Sequence, residues 1–84
     1  MNDNEGKIIL KIKYFDEIKI EMNESDKIKD IINKYCEEKN IINSQGFYLT
    51  DTSLKKLDDN LTIKEAKLTN NQTLYITKDN LDGY

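Results

Sequence analysis

The hydrophobic residues of this chain change period along its length, and each change marks an element. From Lys7 to Lys13, Ile8, Leu10 and Ile12 alternate with Lys7, Lys11 and Lys13. Period two is the mark of a strand with one buried face. Ile18, Ile20 and Met22 then alternate with Lys19 and Glu21. Two such runs joined by the short Tyr14-Phe15-Asp16-Glu17 connection predict a β-hairpin. The connection has neither Gly nor Asn-Gly, so its turn type stays open. At Ile28 the spacing becomes Ile28, Ile31, Ile32 and Tyr35, one stripe of an amphipathic helix. Ser25 or Asp26 is the expected N-cap, and Asn40 suits the left-handed residue that closes the helix. Ile41 and Ile42 are expected to re-enter the core.

Beyond the helix the elements shorten. Asn43-Ser44-Gln45-Gly46 reads as a loop and Phe47–Thr50 as a third strand, with core and exposed positions among Phe47, Tyr48 and Leu49. Leu54 and Leu57 flank a brief further strand or edge. Thr62-Ile63-Lys64-Glu65 has the capping-box form, which predicts a short second helix or 3₁₀ turn with Ile63, Ala66 and Leu68 facing inward. Asn70-Asn71 favours a turn. In the last strand Leu74 and Ile76 point inward and Tyr75 outward. Residues 1–6 are expected to form a disordered leader, 7–77 one domain and 78–84 a flexible tail.

The order of hairpin, amphipathic helix and further strands is that of an α+β, β-grasp fold with a mixed four- to five-stranded sheet. Three passages resemble ubiquitin and its relatives. Glu24-Ser25-Asp26-Lys27-Ile28-Lys29-Asp30-Ile31 resembles the family's entry into its main helix. The run from Leu57 to Glu65 resembles its segment of Leu, two acids, a turn, Thr-Leu and a capping acid. Asn71-Gln72-Thr73-Leu74-Tyr75-Ile76 resembles its final strand. The resemblance covers about residues 7–77 and implies a protein that acts through protein–protein interaction.

It also implies where to look. The family's docking patch is built from the first turn, the third strand and the last strand, which points to Phe15, Tyr48, Leu49 and Thr77; Thr77 weakens the patch. The chain ends Leu81-Asp82-Gly83-Tyr84, and Gly83 falls where the family's terminal glycine falls. The favoured expectation is a small modifier conjugated through Gly83 after proteolytic removal of Tyr84. It would be served by activating and conjugating (E1/E2-type) enzymes and a processing protease. Asp82 stands in place of the penultimate glycine, and Asp79 in place of an arginine read by the activating enzyme. The alternative is a non-covalent binding module or adaptor that is never conjugated.

Composition narrows the chemistry. The 84 residues carry no His and one Cys, so Cys–His and Ser–His catalytic pairs are impossible and Cys/His metal spacing is absent. Asp58-Asp59 and Glu37-Glu38 are adjacent in sequence and read as solvated charges. No enzyme, cofactor or metal site is expected. The net charge of −3, the interleaved lysines and acids and the lack of Arg argue against nucleic-acid binding. No apolar run reaches membrane-spanning length. Cys36 lies just past the helical stripe and reads as a half-buried small residue, with Lys39 the local cation that could activate it. A single thiol fits a reducing compartment, hence a cytoplasmic location, or a nuclear one in a eukaryote.

Overall fold

The computed structural model describes residues 6–79; the expected tail chemistry at Gly83 and Tyr84 lies outside them. The two alternating runs form β1 (Lys7–Lys13) and β2 (Glu17–Asn23), an antiparallel hairpin. The stripe of Ile28, Ile31, Ile32 and Tyr35 is the buried face of α1 (Ile28–Lys39). β3 (Phe47–Thr50) and β4 (Gln72–Lys78) complete a four-stranded sheet of order β2-β1-β4-β3. β4 runs parallel to β1 and antiparallel to β3, so the sheet is mixed. This is the α+β, β-grasp arrangement implied by the resemblance.

The core lies between one sheet face and α1. Leu10, Ile12, Ile28, Ile31, Leu49, Ile63 and Leu74 are fully buried there together with Tyr35. Each buried aliphatic side chain contributes about 1.5–3 kcal/mol of transfer free energy. At the C-terminal end of α1, Asn40 adopts φ 59°, with its N–H on the Glu37 carbonyl at 3.4 Å and that of Ile41 on Cys36 at 2.8 Å. That is a Schellman closure, with asparagine tolerating the left-handed position.

Several expectations change. The N-cap is Lys27, not Ser25 or Asp26. The Asp26 carboxylate turns back to accept the Asn23 N–H at 2.9 Å. The helix start is satisfied from elsewhere: Ile28 N–H donates to the Leu61 carbonyl at 2.9 Å and Lys29 N–H to that of Asp59 at 3.3 Å. Asp30 completes the start by accepting the Lys27 N–H at 2.9 Å.

The fifth strand reduces to one bridge between Thr50 and Lys56. The second helix reduces to a single turn. Its capping box forms, with Thr62 N–H on Glu65 Oε1 at 2.9 Å and Glu65 N–H on Thr62 Oγ1 at 3.0 Å. Lys67 then takes φ 60°, left-handed backbone that a helix cannot continue. Ile42 faces water, since the closure at Asn40 turns Ile41 toward the core and leaves the next residue outside. Cys36 is buried rather than half-buried. Gly6 joins the hydrogen-bonded structure through its carbonyl, which accepts the Glu24 N–H at 2.6 Å.

Candidate functional site

Because α1 covers one face of the sheet, the side chains of opposite parity form a helix-free outer face. Register decides its membership. Leu49 pairs with Ile76 and shares its inward direction; Tyr48 pairs with Thr77, and Thr50 with Tyr75. In a strand a shift of one residue moves a side chain to the other face. The outer face at β3 and β4 therefore carries Tyr48, Tyr75 and Thr77. Leu49, expected on the docking surface, is 0 % exposed and belongs to the core. Tyr48 is half-buried, with the Lys56 ammonium 4.7 Å from its ring centroid. This cation–π contact holds the ring against the sheet. Thr50 points the same way but is buried where the Lys56 segment bridges it.

Phe15 sits apart, at the hairpin tip, and is 80 % exposed. Its ring lies 4.4 Å from that of Tyr14. Tyr14 in turn stands 5.1 Å from Phe47 and 6.4 Å, edge-on, from Tyr35. The Lys39 ammonium donates to Asp16 Oδ2 at 2.9 Å, fastening the tip to the end of α1. Such a surface pair adds little stability, but it fixes where the tip lies. The four expected surface positions thus divide three ways: Tyr48 and Thr77 together on the outer face, Phe15 on the hairpin tip, and Leu49 inside. Lys56, which the sequence reading did not single out, joins the first group through a bridge that no local pattern signals.

The charge-bearing groups at this end of α1 share one direction of shift. The hydrogen bond that the Lys39 ammonium donates to Asp16 raises the Lys39 pKa above its usual value. Burial raises the Tyr35 hydroxyl, and the Asp16 charge adds to the shift. Burial alone raises the Cys36 thiol, so Lys39 does not activate it. Cys36 is therefore expected to resist a disulfide reagent at neutral pH in the native protein and to react fully once guanidinium unfolds the chain. Rapid native labelling, read by absorbance, would contradict the buried thiol.

Residues 12–76 match the family described as the TUG ubiquitin-like domain. The chain belongs to this family. No curated protein sequence matches it. Among solved structures, the ubiquitin of Caldiarchaeum subterraneum superposes with a TM-score of 0.77 at 16 % identity, covering 93 % of this chain and 100 % of the other. A de novo design based on ubiquitin gives 0.80 at 15 %, covering 95 % and 98 %. A structure described as molecular mimicry of SUMO that promotes DNA repair gives 0.79 at 19 %, covering 86 % and 91 %. At these identities the structures establish the ubiquitin-like fold. The ubiquitin-like fold is one that serves protein–protein interaction; in this chain the helix-free sheet face carries Tyr48 and Tyr75, and the hairpin tip carries Phe15.

Proposed function

We propose that the chain is a non-covalent, non-catalytic docking domain that binds a protein partner through the outer sheet face at Tyr48, Tyr75 and Thr77. The observation that carries this reading is the β3–β4 register, which sets these three side chains on the face that α1 leaves open. Tyrosines held on a sheet supply broad, amphipathic contact area at low entropic cost, as docking surfaces favour. Phe15, on its aromatic support at the hairpin tip, offers a second, separate contact. Asp79 and Asp82 add to the case, because acidic residues replace the basic and glycine positions used for activation in the ubiquitin family. With the thiol of Cys36 buried and reduced, the domain suits the cytoplasm.

Conjugation through Gly83 is the second reading, favoured by the position of that glycine a few residues beyond the end of β4. Expression of tagged protein in its own cells separates the two. Docking predicts no ladder of conjugates. It also predicts that Gly83→Ala keeps its co-purifying partners, while Tyr48→Ala with Tyr75→Ala loses about tenfold or more of them. Conjugates that vanish with Gly83→Ala, together with intact-mass loss of Tyr84, would establish the modifier instead.

A further inference from the structure

The other half of the outer face, formed by β1 and β2, carries charges that the fold itself does not use. Alternation places Lys7, Ile9, Lys11 and Lys13 outward on β1, and Glu17, Lys19 and Glu21 outward on β2. The register sets Lys11 directly opposite Lys19. Like charges facing each other across an antiparallel pair oppose the pairing. Lys13 faces Glu17 and Ile9 faces Glu21, so the remaining rows of this face are not like-charged. Among the described residues the salt bridges are Lys34–Glu37 and Lys39–Asp16; neither Lys11 nor Lys19 forms one. Across β4 the same rows continue to Thr73 beside Lys11 and Tyr75 beside Lys13. The result is a pair of opposed ammonium groups on paired strands, next to partly exposed Ile9 and the ring of Tyr75.

We propose that this row binds an acidic segment of a partner protein, with carboxylates seated between Lys11 and Lys19 and an apolar side chain against the ring of Tyr75. The inference rests on the docking reading above and extends it to the β1–β2 half of the sheet. Charge complementarity names the occupant. A partner carboxylate relieves a repulsion present in the free domain and breaks no ion pair formed within it. A short acidic peptide fits better than a nucleic acid. Glu17 and Glu21 flank Lys19 on the same face, and a continuous phosphate backbone would have to cross them. The chain also has no Arg and a net charge of −3.

The test uses the full chain, ¹⁵N-labelled, and a synthetic peptide with paired glutamates around a central leucine. Amide shifts are expected to saturate and to centre on Lys11, Lys13, Lys19 and Tyr75, and binding should weaken with added salt. The Gln-for-Glu peptide should bind about tenfold or more weakly. Lys19→Glu converts the opposed row to an unlike pair, so its Tm should hold or rise while peptide affinity falls about tenfold or more. Absence of saturable shifts overturns the proposal, as do shifts confined to the face of α1. Tighter binding at these residues by oligothymidylate or by phosphatidylserine vesicles also overturns it. The two readings fail separately. Partner loss on Tyr48→Ala with no acidic-peptide binding removes only the β1–β2 site, whereas cellular partners indifferent to Tyr48, Tyr75, Lys11 and Lys19 remove the docking face altogether.

Discussion

Leu49→Ala is expected to destabilise the domain by about 2–5 kcal/mol and to lower its Tm by about 10–30 °C. Leu49 is fully buried, pairs with Ile76 at the β3–β4 ladder, and its carbonyl accepts the Leu57 N–H at 2.8 Å. Truncation removes its transfer free energy and leaves a cavity against a core that collapses only partly. The backbone bond to Leu57 survives the substitution, so the loss is one of packing. The consequence for function is direct. Any fall in partner binding by this variant follows from lost folded protein, and it should scale with the unfolded fraction measured by circular dichroism. Phe15→Ala is the matched control: it removes an exposed ring and should change stability by no more than about 0.5 kcal/mol. A Leu49→Ala protein that melts like the parent while losing partner binding would return Leu49 to the surface.

The case of Leu49 shows where sequence pattern stops being informative. In β1 and β2 every outward residue but Ile9 is charged or polar, so parity is written in the residues themselves. Phe47-Tyr48-Leu49-Thr50 contains no charge, and the face of each residue is settled only by the register with β4. The helix was legible for the same reason as the hairpin, because a four-residue apolar stripe has one reading. Its start was not, since the carbonyls of Asp59 and Leu61 that satisfy its first amides come from a distant part of the chain. The capping box at Thr62 was legible as a local hydrogen-bond motif, yet the turn ends at Lys67 for want of a longer apolar stripe. The opposed Lys11 and Lys19 required the hairpin register, which the sequence of the turn left open. Tyr48 and Thr77 were legible through the resemblance, and their neighbour Lys56 only through the bridge to Thr50.

Tyr35 gives the second large effect, and here two substitutions should act in opposite directions. Its ring is fully buried, but its hydroxyl is also buried without a hydrogen-bond partner. The Phe15 backbone is near enough to offset part of the pKa rise, yet it does not meet hydrogen-bond geometry. Tyr35→Ala should cost about 3–5 kcal/mol, because it deletes an aromatic side chain from the core. Tyr35→Phe keeps the ring and deletes the unsatisfied oxygen, so it should stabilise the domain by about 1 kcal/mol. The pH dependence supplies an independent reading. Tyr35, Cys36 and Lys39 all have raised pKa values, from usual values of 10.0, 9.0 and 10.5. Each therefore holds its proton more firmly when folded. Their stabilisation is complete below the lowest of the unfolded values and is lost as pH rises through the folded ones. The parent should lose stability progressively in alkali, and Tyr35→Phe should lose less over the same range; parallel urea melts at neutral and alkaline pH measure the difference. The ring also supports Tyr14, on which Phe15 stacks. Tyr35→Phe should therefore leave the hairpin tip intact. A Phe variant less stable than the parent would show that the hydroxyl is hydrogen-bonded in solution.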